Sequence, residues 1–469
     1  MNRSLTRSAP GYPPALAPAG APAVQDGPFA GFAARAPLIA LAMLAVVAVR
    51  VHEVLPLIPA LRPALLVSVG GSIYLWTRSR PQVRAAVLAN PTIRLILIYY
   101  GWCVLTLATS MWRGESLNSL RAFMPAILLS VAIMMVPPRR DVLDRILYWY
   151  VVILGGFGAA AMLLGNAWRG RLEFGGMYDS NDLASLMIIG FPIAIGVMTR
   201  GLGRRRIVAA AAAALMMFTI VATGSRGGVL GFAAAVFVLA SGLKGTRRIW
   251  VVGLMAFGLL AAWATSSRIF QNRIRSFWNL ENDYNYTSDV GRKAIWERGR
   301  SYILAHPVLG VGIGCFPVAE GGSWDAMGRT GKWSTAHNAY IQAGAELGIP
   351  GGTLYILLLI NGVVIARRLA RGYRFRNGAT EYRPEFVASM AGFATTAVFL
   401  SHAYFNGLFA LLGLLALSDR VFQLELRPPP SPAQSDAAAA AHAPVPVLRR
   451  GERGGFAYGV ARFSPRSHG

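Results

Sequence analysis

The chain has 469 residues, 54% of them hydrophobic and only 14% charged, a balance too apolar for a soluble domain and one that points to a membrane protein. Lys and Arg number 46 against 21 Asp and Glu, a formal +25; in a membrane protein that excess is first a topology signal, so no nucleic-acid partner is expected. Two cysteines, Cys103 and Cys315, give neither a disulfide framework nor a metal-ligand spacing.

Residues 1–35 are rich in Pro, Ala and Gly without a hydrophobic core, and read as a disordered cytoplasmic tail rather than a signal peptide. Twelve apolar runs near the length needed to cross a bilayer follow. They lie near 37–51, 55–76, 93–111, 117–136, 142–164, 183–199, 206–222, 227–243, 248–265, 349–366, 386–402 and 404–420. The expected fold is therefore an all-α polytopic bundle of about twelve transmembrane helices. Spans one to nine occupy 36–265, a large loop occupies 266–348, spans ten to twelve occupy 349–426, and a second cytoplasmic tail occupies 427–469.

Basic residues fall in every even-numbered gap. Arg78, Arg80 and Arg84 follow span two; Arg139 and Arg140 follow span four; Arg200, Arg204, Arg205 and Arg206 follow span six. Lys244, Arg247 and Arg248 follow span eight, and Arg367, Arg368, Arg371, Arg374, Arg376 and Arg383 follow span ten. Short basic loops stay in the cytoplasm, so both termini are expected there and the odd-numbered gaps outside. A loop as long as 266–348 is expected to fold into a small helical cap on the outer side.

The outer gaps hold the polar motifs. "MYDSNDLAS", residues 177–185, opens span six; Asn181 and Asp182 either cap that helix or orient a ligand or an arginine. "TGSRGG", residues 223–228, sets Ser225 and Arg226 at the outer end of a span. Its glycines serve a ligand's approach or helix packing, and its guanidinium suits a phosphate or a headgroup.

"GRKAIWERGRSYILAHPVLGVGIG", residues 291–314, reads as an amphipathic helix ended by Pro307, with Arg292, Trp296 and Arg300 along one stripe. Its simplest role is to lie on the membrane with Trp296 at headgroup level; Arg292 can also contact a charged headgroup. "AHNAYIQAGAELGIPGG", residues 336–352, predicts a short helix over 336–347 with Ser334 or Thr335 as N-cap and His337 in the first turn. There the helix dipole favours a neutral imidazole. Asn338, Gln342 and Glu346 then form one polar stripe, read either as a solvated face or as part of a binding site.

Taken in order, "SNDLAS", "GSRGG", "GRKAIWERGRSYILAHPVLGVGIGCF" and "AHNAYIQAGAELGIPGGTLY" resemble the O-antigen ligase/polymerase superfamily of inner-membrane glycosyltransferases over roughly residues 90–420. The resemblance implies transfer of a glycan from undecaprenyl diphosphate to an acceptor hydroxyl on the periplasmic face of a bacterial inner membrane, in an inverting reaction without metal or cofactor. It implies Arg226, Arg292 and His337 as the catalytic set. Asn181, Asp182, Ser225, Arg300, Asn338, Gln342 and Glu346 are expected to support substrate binding.

The expected acceptor is lipid A–core in lipopolysaccharide biosynthesis. The alternatives are a polymerase of the same superfamily, a protein O-oligosaccharyltransferase, or, from another class, a transporter. The acids of "ENDYNYTSD" (Glu281, Asp283 and Asp289) lack EF-hand spacing and read as cap surface.

Overall fold

The computed structural model describes residues 30–54, 63–168, 171–174, 178–242, single positions between 245 and 256, and residues 287–371, 373–374, 380–381 and 383–426. The architecture is an all-α bundle, and the chain is membrane-integral. Its helices are α1 (Ala30–Met43), α2 (Pro63–Arg78), α3 (Pro81–Ala89), α4 (Pro91–Leu105), α5 (Arg113–Met135), α6 (Arg140–Leu164), α7 (Ser180–Arg200), α8 (Arg204–Ala222) and α9 (Arg226–Gly242). After these come α10 (Arg292–Ala305), α11 (Phe316–Ala326), α12 (Ala339–Arg371), α13 (Glu385–Ala397) and α14 (Asn406–Leu426). Two short antiparallel hairpins, β1–β2 (Asn166–Trp168 with Arg171–Glu173) and β3–β4 (Tyr373–Arg374 with Thr380–Glu381), are the strand pairs among the described residues.

Among the described residues, eight helical segments are long and apolar enough to cross a bilayer; α9 is apolar but shorter. Each expected span overlaps a described helix except 248–265, which lies largely outside the described residues, as do 55–62 of the second span, the C-terminal tail and most of the N-terminal one. α1 is described from Ala30, six residues ahead of the expected start of the first span, and carries Pro37 in its interior. Pro37 reads as a helix start, but a buried membrane helix tolerates an interior proline where neighbours satisfy the freed backbone group.

Helices in lipid gain little from the hydrophobic effect and associate instead through close packing at small residues. The contact of α9 with α13 shows this. A β-carbon on Gly231 would lie 2.3 Å from Thr396 Cγ2 and 3.0 Å from the Gly392 carbonyl oxygen, so the two backbones meet where no side chain fits. Beside them an aromatic cluster fills the bundle, with Phe123 4.8 Å from Phe409 and 5.3 Å from Tyr404 between ring centroids.

The even and odd gaps segregate. At one end Arg383 pairs with Asp144 and Arg200 with Glu385, and Arg420 donates to the Met134 carbonyl, so the basic connections after α5, α7 and α12 meet there. At the other end Tyr178 donates to the Ala48 carbonyl, Met111 N–H to the Val311 carbonyl, Arg171 to the Thr223 carbonyl, and His337 N–H to Ser401. The basic gaps after spans four, six and ten thus share one end of the described bundle, and the polar motifs lie at the other. With the basic end in the cytoplasm, a cysteine at exposed Thr330 should react with an impermeant thiol reagent in intact spheroplasts. A cysteine at Leu202 should stay protected until lysis. Cys103 and Cys315 are buried and contribute little background; the reverse labelling pattern would invert the topology.

Candidate functional site

The non-basic end is where α7, α9, α10 and α12 all begin. α7 is capped by Asp179, whose Oδ1 accepts from the Asn181 and Asp182 amides at 2.7 and 2.9 Å. Asn181 and Asp182 are therefore free of the capping role the sequence also allowed. Asn181 Oδ1 accepts from Arg171 Nη2 and from the Ser225 hydroxyl, each at 2.8 Å, so it ties the hairpin arginine to the turn before α9. Ser225 in turn accepts from the Gly228 amide at 3.0 Å, capping α9 and setting Arg226 in its first turn.

The glycines of this turn serve packing rather than a ligand. A β-carbon on Gly228 would lie 2.8 Å from Ala184 Cβ, and one on Gly227 would lie 3.0 Å from Phe399 Cβ. This is the second of the two roles the sequence left open. It brings the starts of α7 and α9 and the turn after α13 into direct contact.

His337 is not in a helix. Asn338 is the N-cap of α12, its Oδ1 accepting from the Tyr340 and Ile341 amides at 2.9 and 3.0 Å. The expected cap at Ser334 or Thr335 and the expected first-turn position of His337 are both corrected by this. Local pattern favoured Ser or Thr, but an asparagine one residue before the helix makes the same bonds. His337 lies just ahead of it with φ +48°, a left-handed conformation uncommon outside glycine. Its amide donates to Ser401 Oγ at 2.8 Å.

The imidazole is held neutral, as expected, but chiefly by burial. Desolvation and then the nearby Arg292 guanidinium push its pKa down to about 4, Lys332 adding to the effect and Asp179 opposing it. The loop histidine, the α10 arginine and the α7 cap thus belong to one electrostatic neighbourhood.

The polar stripe of α12 is buried, not solvated. Asn338, Gln342 and Glu346 are 7, 8 and 1% exposed. Glu346 accepts from the Gly314 and Phe316 amides at 2.9 and 3.2 Å and from the Tyr404 hydroxyl at 2.8 Å. Gln342 Oε1 accepts from the Ala403 amide at 3.2 Å. These contacts make Glu346 and Gln342 supports of the loop and turn around His337. Gly314 reaches Glu346 only with φ +75° and its Cα pressed on Ser119, where a β-carbon would lie 2.0 Å from the hydroxyl oxygen. α12 then breaks at Gly348, φ +70°, before its apolar portion.

α10 spans Arg292–Ala305 with Ile295, Gly299 and Tyr302 buried. Trp296 has a second partner besides any headgroup: the indole Nε1 donates to the Ala336 carbonyl at 3.1 Å, fastening α10 to the residue before His337. Arg292 is half-buried at its start, while Arg300 is exposed two turns further on. The inward cation of that region is Arg298, bidentate to the buried Glu320 at 3.0 and 2.8 Å, with the Tyr302 hydroxyl donating to the same carboxylate. Arg300 is thus not gathered with the other candidates.

One group of residues escaped sequence reasoning. Ser401, His402, Ala403 and Tyr404, between α13 and α14, contact in turn His337, Asp182, Gln342 and Glu346. His402 Nε2 lies 2.7 Å from Asp182 Oδ1, and the ring is stacked on Phe405, at 4.3 Å, with Phe393 nearly parallel at 6.0 Å. The available signal was a serine and a histidine interrupting two apolar runs at an outer gap.

Residues 211–356 match the family model described as O-Antigen ligase. The match runs from α8 to the apolar part of α12 and holds Arg226, Arg292 and His337; "SNDLAS" and the 401–404 turn lie outside it. No curated protein matches the chain. The resemblance to the O-antigen ligase-like superfamily therefore stands on a family match as well as on motifs. That match supports ligase- or polymerase-type glycan transfer in polysaccharide biosynthesis, with a lipid-linked glycan donor and a glycan acceptor in general.

Proposed function

We propose that the chain is an inverting, metal-independent glycosyltransferase of a bacterial inner membrane. It moves a glycan from undecaprenyl diphosphate to an acceptor hydroxyl at the periplasmic face, with lipid A–core as the acceptor. The observation that supports the reading is His337, its amide fixed on Ser401 and its imidazole buried within electrostatic reach of Arg292 and of Asp179, the cap of α7. In the reaction the acceptor hydroxyl oxygen attacks the anomeric carbon while His337 takes the hydroxyl proton. The bond from that carbon to the diphosphate oxygen breaks, and the diphosphate leaves with the electron pair. Arg226 and Arg292 offset the charge that accumulates on it. One displacement inverts the anomeric centre.

The helix starts assist. Backbone amides at the beginnings of α9 and α10 and the two guanidinium groups supply positive potential for a diphosphate. Asn181 and Ser225 fix the turn that carries Arg226, while Asn338, Gln342 and Glu346 fix the segment that carries His337. The domain reading follows: spans over 36–265 and 349–426, with the catalytic cap over 266–348.

The experiment that tests this reading deletes the gene and compares lipopolysaccharide, exopolysaccharide and glycoprotein profiles. Loss of long-chain lipopolysaccharide with accumulation of lipid-linked glycan selects the ligase; shortened glycan chains still joined to their acceptor select the polymerase. In reconstituted membranes transfer should survive EDTA at millimolar excess. Loss restored by a divalent cation would overturn metal independence and bring Glu281, Asp283 and Asp289 into the mechanism; the first two lie outside the described residues.

A further inference from the structure

We propose that Ser401 and His402 form a positioning clamp that holds the His337 peptide in its left-handed conformation and thereby sets the direction of the imidazole. The inference rests on the reading of His337 as general base, and it assigns a role to a turn that neither the family match nor the motifs include.

A histidine at φ +48° is strained, and such residues persist where the surroundings over-determine them. At His337 the peptide is restrained by the Ser401 hydroxyl, which accepts from its amide at 2.8 Å. Ser401 is itself placed by its neighbour. His402 is 3% exposed, stacked on Phe405 with Phe393 near and parallel, and hydrogen-bonded through Nε2 to Asp182 at the start of α7. Its other ring nitrogen, Nδ1, is buried without a hydrogen-bond partner among the described residues. A buried orphan of this kind costs stability, so the ring is not there for packing alone.

The rest of the turn is tied as firmly. Ala403 N–H donates to Gln342, Tyr404 to Glu346, and Asn406 Nδ2 to the Val47 carbonyl. Three helices thus hold the turn, and the turn holds His337. Asp182 and His402 do not touch the reacting atoms in this scheme. They act through Ser401.

The test measures donor and acceptor kinetics of purified full-length variants, with lipid-linked glycan extracted from gene-deleted cells as donor and their membranes as acceptor source. Rates are taken per folded molecule, judged by size exclusion. Ser401→Ala should lower kcat about ten-fold with the donor KM little changed, because a relaxed peptide aims the imidazole away from the acceptor. Ser401→Thr keeps the acceptor oxygen and should restore most of the rate.

His402→Phe keeps the ring stack and loses only the bond to Asp182; it should fall as Ser401→Ala does, and serves if the alanine variant does not fold. The acid limb of the pH profile should move in both, since the imidazole changes its distance to Arg292, Lys332 and Asp179. A merely structural role would lower the yield of folded protein without moving kcat or the limb. Wild-type kcat in Ser401→Ala, or equal loss in the threonine variant, overturns the clamp while leaving the base reading intact. Near-normal turnover of His337→Ala overturns both.

Discussion

Replacing His337 with alanine should lower turnover by about 10²-fold or more while donor binding stays near wild type, because a general base acts on the acceptor and not on the diphosphate. The pH dependence makes the expectation specific. The neutral imidazole is the working form, so the rate rises with pH through the pKa and then levels. In the free protein that pKa is pushed down to about 4, by burial first and by Arg292 second, so the acid limb of kcat/KM should lie well below the usual histidine range.

A base that weak is a poor proton acceptor until something raises it. The donor's diphosphate brings negative charge beside Arg292 and the imidazole, which favours the protonated form. The limb of kcat should therefore lie above that of kcat/KM. Arg292→Gln removes the nearby positive charge and should move the free-protein limb upward. If His337→Ala turns over normally in a purified assay, or the limb ignores Arg292, the imidazole does not serve as the base.

Span positions and the break at Gly348 were legible because they rest on local signals: apolar run length, basic gaps, and glycine next to proline. α10 was legible for the same reason, since Ile295 and Gly299 mark its buried stripe at helical spacing. What Trp296 touches was not. An indole beside arginines reads as a membrane anchor, and its bond to the Ala336 carbonyl depends on the return of the chain 40 residues on. The α12 stripe shows the same limit: spacing aligned Asn338, Gln342 and Glu346, but their burial depends on a turn some sixty residues away in sequence.

The 401–404 turn was hidden for a related reason. Its bonds to Asp182, His337, Gln342 and Glu346 join residues far apart in the chain, and no local period records them. Arg300 continues the stripe of Arg292 and Trp296 in the sequence, whereas Glu320, on another helix, selects Arg298 as the inward guanidinium. Asn181 was legible as a polar residue at a helix start, yet its partners Arg171 and Ser225 come from two other segments.

Arg226→Ala should weaken donor binding and turnover together, with kcat falling about 10²- to 10³-fold, the loss typical of one preorganised charge stabiliser. The reason lies in where the turn is anchored. Ser225 caps α9 and is held by Asn181, and Gly227 and Gly228 pack without side chains against the turn after α13 and against α7, so the guanidinium has a fixed origin. A fixed cation interacts with the diphosphate in the ground state and more strongly as the leaving group gains charge, which is why both parameters should move. Arg226→Lys should recover binding better than turnover. An ammonium supplies the charge, but it cannot offer paired, planar donors to two phosphate oxygens. Donor binding in Arg226→Ala equal to wild type, measured on folded protein with extracted lipid-linked glycan, would place Arg226 in the packing of α9 rather than against the diphosphate.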